Sequence, residues 1–327
     1  MIKRIWVIFL VLALALSAVI YFKQGKSKPI AYRLKWLFNT SVAGDIYAVA
    51  NGYFEKAGLT VEIKEGSPEK NAINELELGY ADFGVASADQ VIRAIEKGAQ
   101  IVVIAQLFQV NPMQWIYRAD QPEIKQLQDL KGRRIGITFG GNDETIMKTV
   151  LAAAGIAQTD VTLTGVRFDF SPFLKRQVDV WPVYRNSQGV ILEQQLAREG
   201  ESVCFFNPAD FGIHFVANSV ITTRAMVDRN PKVVKQFLSA LLKGWEDAMN
   251  PANETDVLDA VKKLDQGTQG IIQKEQLMVT RQLIQPLPSI RIGHIDTAAW
   301  QQTETIMLKE QQIKNPVNIE TCLIQME

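Results

Sequence analysis

Residues 134–155, Arg-Ile-Gly-Ile-Thr-Phe-Gly-Gly-Asn-Asp-Glu-Thr-Ile-Met-Lys-Thr-Val-Leu-Ala-Ala-Ala-Gly, constrain the fold of this chain more than any other stretch. Ile135, Ile137 and Phe139 alternate, as in a strand with one buried face. Gly140 and Gly141 then allow a sharp turn, since neither carries a Cβ. Asn142 is the expected N-cap of a helix whose apolar residues Ile146, Met147, Val150, Leu151 and Ala154 recur at helical spacing up to Gly155. A strand passing through glycines into a helix N-terminus is a place where α/β proteins hold ligands, because free N–H groups point outward there. It is equally the form of an ordinary capped turn. The stretch lacks both the dinucleotide fingerprint and the Lys-Ser/Thr of a phosphate loop, so its meaning depends on its surroundings.

Those surroundings alternate strand and helix. Residues 32–38 read as a first strand, 44–57 as a helix ended by Gly58, and 59–63 as a second strand, which completes a βαβ unit. A helix over 71–78, a short apolar strand over 83–86 and a helix opened by the capping pattern Ser87-Ala-Asp-Gln90 follow, then an apolar strand over 101–107. A second unit is expected from Trp115 onward, with strands over 161–166, 178–184 and 203–206 and helices over 171–177 and 187–199. Residues 220–223 read as a strand leading back to the first unit. The remainder is helical, opening with Asn230-Pro231 and a stripe through Val234, Phe237, Leu238, Leu241, Leu242 and Trp245. Weaker helices are expected over 255–264, 274–283 and 296–312.

At 327 residues with 47% hydrophobic content, the chain can bury one or two substantial cores. The 35 basic and 35 acidic residues cancel, which gives no electrostatic footprint for nucleic acid. Only Cys204 and Cys322, and only His214 and His294, are present; they form no metal motif and no disulfide framework, although one bridge between the cysteines stays open. Lys3 and Arg4 precede an unbroken apolar run over residues 5–22, the layout of an export signal. The run matches the ~18 residues that a membrane span requires, and small residues are poorly placed for cleavage. An uncleaved anchor is therefore expected over a removed signal peptide, with the body outside the cytoplasmic membrane.

Several of these segments together resemble bacterial solute-binding proteins of ABC transporters, in the nitrate/sulfonate/taurine and thiamine-pyrimidine-precursor group. The resemblance rests on Leu34-Lys-Trp36, Asn51-Gly-Tyr-Phe-Glu-Lys-Ala-Gly-Leu59, Gly79-Tyr-Ala-Asp-Phe-Gly-Val-Ala86, Asp129-Leu-Lys-Gly132, Gly140-Gly-Asn-Asp-Glu144 and Val178-Asp179, and covers roughly residues 32–245. Gly-Gly-Asn-Asp-Glu and the loop Trp181-Pro-Val-Tyr-Arg-Asn186 look most like the pyrimidine-precursor branch. That branch usually carries an acidic residue after the loop Asn, where this chain has Ser187. The resemblance implies an α/β, two-lobed periplasmic-binding-protein (type II) fold, with mixed sheets flanked by helices and a ligand cleft between the lobes. It divides the chain into a leader or anchor over 1–29, one lobe over 30–117 plus 218–327, and a second over 118–217, with hinges near Arg118 and Ala217.

The resemblance also directs attention to loops at strand ends, where open α/β sheets bind ligands. The candidates are Trp36 and Asn39 after the first strand, Ser87 and Asp89 after the short one, Gly141, Asn142, Asp143 and Glu144 at the glycine turn, and Trp181, Tyr184 and Asn186 in the aromatic loop. Phe38, Asp45, Tyr47, Phe108 and Asn207 are further candidates. Each has a plainer explanation: Trp36 and Phe38 as strand core, Ser87 and Asn142 as caps, Asp143 and Glu144 as favourable charges at a helix start. Trp181 and Tyr184 are less easily explained, because Pro182 and the polar Arg185-Asn-Ser suggest an exposed loop. An anion at the glycine turn would meet two carboxylates. A neutral or cationic ring with amino groups suits it better, stacked on aromatics and donating to carboxylates and amides.

The expected function is thus a substrate-binding component that delivers a small heteroaromatic to an ABC permease in the cytoplasmic membrane, as a monomer without cofactor or metal. A nitrate- or sulfonate-type anion receptor, a ligand sensor and a pyrimidine-synthase-like enzyme are the alternatives. The last would need a cysteine-rich iron motif, and neither cysteine here has a cysteine neighbour.

Overall fold

The computed structural model describes residues 28–67, 69–166 and 169–326. The apolar run over 5–22, with the questions of anchor and cleavage, lies outside them. Among the described residues no helix is long and apolar enough to cross a membrane.

The chain opens with β1 (Ile30–Arg33), α1 (Ala43–Ala50), α2 (Tyr53–Lys56), β2 (Val61–Lys64), α3 (Ala72–Glu77), β3 (Phe83–Ala86), α4 (Ala88–Glu96) and β4 (Ile101–Gln106). It continues through β5 (Met113–Arg118), β6 (Arg134–Ile137), α5 (Asn142–Ala153), β7 (Thr162–Gly165), α6 (Ser171–Leu174), β8 (Val180–Tyr184), α7 (Val190–Arg198) and β9 (Val203–Phe206). It closes with β10 (Ser219–Thr223), α8 (Arg224–Arg229), α9 (Pro231–Met249), α10 (Glu254–Lys262), α11 (Gly270–Ile284) and α12 (Thr297–Lys309).

Two five-stranded mixed sheets result, in the orders β2-β1-β3-β10-β4 and β7-β6-β8-β5-β9. In the first, β1 runs parallel to β2 and β3, while β10 is antiparallel to β3 and β4. In the second, β6 runs parallel to β7 and β8, while β5 is antiparallel to β8 and β9. The α/β units expected from the strand–helix alternation, and the two mixed sheets implied by the resemblance, are therefore present.

The first strand is shorter than its alternating pattern suggests: its ladders to β2 and β3 end at Arg33, whose guanidinium is held by Glu75 at 2.7 Å, and the chain then leaves the sheet. Trp36 and Phe38 consequently lie in an irregular segment, not on a strand face. The single helix expected over 44–57 is broken in two by Gly52, whose φ is 65°. The chain passes between sheets at residues 107–112 and returns at 207–218. Arg118 is not at the crossing. It lies within the second sheet, 2% exposed, its guanidinium held by Glu201 and by the Phe173 carbonyl at 2.8 Å. Ala217 does fall in the return segment.

The first lobe is stiffened by α9 lying across α1. Gly44 and Gly244 allow the approach: a Cβ on Gly244 would sit 2.4 Å from that of Ala48, and one on Gly44 would strike the Trp245 ring. Phe237 of α9 stacks on Phe83 of β3 with ring centroids 3.8 Å apart. The stripe read from the sequence is thus the inner face of α9, with Val234, Phe237, Leu241 and Trp245 fully buried.

Candidate functional site between the lobes

In both sheets the chain builds outward from a strand and then crosses to its other side. β1 has β2 on one side and β3 on the other, and β6 has β7 and β8 in the same way. Such a reversal leaves a crevice outside the carboxyl ends of the two central strands. The sequence candidates occupy those ends: residues 34–41 and 87–89 follow β1 and β3, and residues 138–144 and 184–187 follow β6 and β8.

The two sets meet. Arg93 of α4 donates through Nη2 to Thr145 Oγ1 of α5 at 2.7 Å. Lys35 Nζ lies 5.7 Å from the centre of the Tyr184 ring. Thr40 donates to Gln276 Oε1 at 2.9 Å, and Gln276 Nε2 donates to the Ser187 carbonyl at 3.2 Å. Asn186 Nδ2 donates to Thr280 Oγ1 at 2.9 Å. The lobes are thus in direct contact across the cleft, with α11 bridging one flank.

The glycine turn is braced from within. Gly140 adopts φ 80°, so it supplies the left-handed residue, and Gly141, not Asn142, takes the N-cap position. Asn142 is the first helical residue, half-buried. Asp143 folds back and accepts from the Thr138 N–H at 2.6 Å, and a Cβ on Gly141 would lie 2.5 Å from its Oδ1. Only glycine fits there. Burial pushes the Asp143 carboxyl up to about 6, against the pull of the Thr138 amide. Glu144 accepts from the Gly140 N–H at 2.7 Å and pairs with Lys148 at 2.7 Å. Burial raises its carboxyl, but Lys148 and the Gly140 amide outweigh this and leave it below its ordinary value. Both carboxylates are therefore used to shape the loop.

On the first lobe, Ser87 and Asp89 satisfy each other: Ser87 Oγ donates to Asp89 Oδ1 at 2.6 Å, and Asp89 holds Arg93 at 3.3 Å. Both are nearly fully buried. They form a relay that aims Arg93 at the opposite lobe. Asn39 caps a short 3₁₀ turn, Thr40–Val42, by accepting from the Ser41 N–H at 2.8 Å. Trp36 is half-buried, and its carbonyl accepts from Gly66 N–H at 3.0 Å.

Trp181 is a correction. It is 1% exposed, paired in register with Ile116 of β5, and packed against Phe170 and Phe173 with ring centroids 6.4 and 6.2 Å away. Pro182 was the reason to expect a loop, yet β8 runs through it. Its ring lies over Gly136 of β6, where a Cβ would come within 3.0 Å of Pro182 Cδ, and the β6–β8 ladder is registered only at Val180. Proline is tolerated at such a gap in a ladder. Phe108 is likewise core, edge-on to Trp245 at 6.3 Å. Asp45 and Tyr47 are buried inside the first lobe, Asp45 accepting from Tyr32 Oη at 2.7 Å. Asn207 caps the turn after β9 by accepting from the Ala209 N–H at 3.2 Å. Cys204 and Cys322 are free thiols.

Tyr184 and Asn186 stand at the end of β8 and in the turn after it. Tyr184 is half-buried at the end of β8. Asn186 is fully buried, and its Oδ1 has no hydrogen-bond partner among the described residues. A buried acceptor left unpaired costs about 1–3 kcal/mol, which a donor brought by a ligand would recover. The segment Arg185–Gly189 forms a single π-helical turn, a rare local form that recurs at functional sites. Lys35, Thr40, Gln276 and Thr280 escaped the sequence reading. Gln273, Gln276 and Thr280 are all buried polar residues on one face of α11, and that polar interruption of an apolar stripe was the available signal. Among the described residues, no group of His, Cys, Asp and Glu is placed to hold a metal ion.

The chain is 31% identical over 190 residues to a putative thiamine biosynthesis protein of Haemophilus influenzae, covering 56% of this chain and 58% of that one. It is 25% identical over 290 residues to the formylaminopyrimidine-binding protein of Halalkalibacterium halodurans, covering 87% and 86%. Among solved structures, the periplasmic aliphatic sulphonate binding protein SsuA of Escherichia coli superposes with TM-score 0.71 at 18% identity, covering 92% of this chain and 94% of that one. That likeness shows a periplasmic-binding-protein fold. The profile of the NMT1/THI5-like family matches residues 39–255, well over half of the sequence, and the chain belongs to that family.

Proposed function

We propose that this protein is the substrate-binding component of an ABC uptake system, working outside the cytoplasmic membrane. It encloses a small amino-heteroaromatic of the pyrimidine-precursor kind and presents it to a permease. It acts as a monomeric binding protein, not as an enzyme. The observation that carries this reading is the fully buried, unpartnered Oδ1 of Asn186, two residues after Tyr184 in the turn that follows β8. The ring stacks on Tyr184, an exocyclic amine donates to Asn186, and the self-braced carboxylates of Asp143 and Glu144 keep oxyanions from the helix start. The name of the Halalkalibacterium relative, a formylaminopyrimidine-binding protein, supports the ligand class.

A second reading, an oxyanion receptor, draws on Lys35, whose ammonium lies at the Tyr184 ring. Calorimetric titration separates the two. A formylaminopyrimidine should bind at one site, whereas nitrate and short alkanesulfonates should not; binding of the anions without the pyrimidine overturns the proposal. Small molecules that co-purify with the protein, identified by mass spectrometry, give the same answer without a chosen probe. The apolar run over 5–22 is proposed to remain as an anchor. N-terminal sequencing of the protein from membranes checks this, and a mature start between Ser17 and Lys28 refutes it.

A further inference from the structure

Where α11 lies against the turn after β8, the protons of a buried polar network can be assigned one by one. The side chains of Thr40, Asn186, Gln276 and Thr280 are all at most 1% exposed, and the buried Ser187 joins them through its carbonyl. Groups buried this deeply are paired within the fold, because an unpaired one is costly.

Two members of the network are backbone carbonyls, of Ser187 and Gln276, and a carbonyl can only accept. The Ser187 carbonyl therefore takes a proton from Gln276 Nε2 at 3.2 Å. That turns Gln276 Oε1 toward Thr40, whose hydroxyl donates to it at 2.9 Å. The Gln276 carbonyl takes the proton of Thr280 Oγ1 at 2.7 Å, one helical turn along α11. A threonine hydroxyl has a single proton. With that proton given away, Thr280 Oγ1 can only accept, and it accepts from Asn186 Nδ2 at 2.9 Å.

The sense of the Asn186 amide follows. Turning the amide over would set Oδ1 against an oxygen with no proton left to give. Nδ2 must therefore point at Thr280, and Oδ1 is the free end of the network, without a partner among the described residues. Neither β8 nor its turn determines this, since Thr280 lies 94 positions further along the chain.

We infer that Thr280 is a positioning residue for ligand selection: it fixes Asn186 as an acceptor, so that the site takes molecules that bring a hydrogen-bond donor to Oδ1. The inference rests on the proposed reading that Asn186 contacts the ligand, and it narrows the chemical class. An exocyclic amine or a ring N–H satisfies Oδ1. A ring carbonyl, a nitrate or a sulfonate presents only lone pairs there and leaves two acceptors facing each other. Without Thr280 Oγ1 the amide can present either end, and the preference lapses.

The test uses calorimetric titration of the full chain in mild detergent. A formylaminopyrimidine with a free ring amine is compared with the pyrimidinone that carries a carbonyl in its place. Wild type should bind the amine about tenfold to a hundredfold more tightly, as expected when a buried acceptor is otherwise left unpaired. Thr280→Val keeps the shape of the side chain and removes its oxygen. It should bring the two affinities to within about threefold of each other. Thr280→Ser retains the hydroxyl and should keep the wild-type ratio. The ratio is the informative quantity, because a residue that merely supports the fold would weaken both ligands alike. If Thr280→Val does not fold, Thr280→Ala removes the same oxygen without added bulk and carries the comparison. A preference that persists without the oxygen overturns the inference, as does one lost in Thr280→Ser. So does a pyrimidinone that binds wild type as tightly as the amine. Failure of both compounds to bind wild type is a different result: it overturns the proposed cleft ligand, and the inference with it.

Discussion

Two aromatic residues three positions apart show how little residue type says about role. Trp181 and Tyr184 sit on one strand, yet the first is fully buried and the second half-buried at the strand's end. Tyr184→Ala should weaken ligand binding by about tenfold to several hundredfold through lost stacking and burial. It should leave the melting temperature nearly unchanged. Trp181→Ala should do the reverse, costing roughly 3–5 kcal/mol of folding stability. Parallel calorimetry of affinity and unfolding distinguishes them, and a stability loss in Tyr184→Ala with intact affinity would move that residue into the core. Asp45 offers a pH test. Burial raises its carboxyl from the ordinary 3.8 to about 7, against the Tyr32 hydrogen bond. A raised carboxyl favours folding below the unfolded value and loses that contribution as pH climbs through the folded one. Wild-type stability relative to Asp45→Asn should therefore fall between about pH 4 and pH 7, by an amount on the order of a few kcal/mol, as thermal unfolding at several pH values would show.

At the scale of elements, the lobes are held by contacts that no single segment specifies. Thr145→Val keeps the shape of α5 and removes only the acceptor for Arg93, leaving the Asp89 pair intact. It should cost about 1 kcal/mol in stability and weaken ligand binding about fivefold, because the closed form loses one cross-lobe bond. Unchanged affinity would mean that this bond is equally present in the open form. The α1–α9 contact is stricter. Gly244→Ala places a methyl 2.4 Å from the Ala48 Cβ and 2.8 Å from its Cα, and helix axes must part to admit it. A loss of about 1–3 kcal/mol is expected from chemical denaturation, despite alanine's better helix propensity.

For the whole molecule, two crossings at 107–112 and 207–218 join the lobes, and we predict that the lobes rotate about them on ligand binding. Solution scattering of residues 28–327 should show a smaller radius of gyration with saturating formylaminopyrimidine. An unchanged profile at proven saturation would overturn this prediction.

The α/β units, the inner stripe of α9 and the glycine turn were legible in sequence because each depends on local periodicity and on backbone freedom at a few residues. Gly140 needs positive φ and Gly141 must make room for Asp143, whatever the rest of the chain does. The end of β1 at Arg33 was not legible, since its last ladder partners, Lys64 and Gly84, lie in other segments and alternation within one strand cannot reveal them. Nor was the burial of Trp181. Proline argues for a loop locally, and only the gap in the β6–β8 ladder removes the cost. The cleft itself divides in the same way. Its candidate loops were proposed because they follow strands, but Asn186, Gln276 and Thr280 came together only in three dimensions. Hydrogen bonds between lobes carry no sequence period, and the geometry that pairs one amide oxygen while leaving another unsatisfied exists only once both sheets are in place.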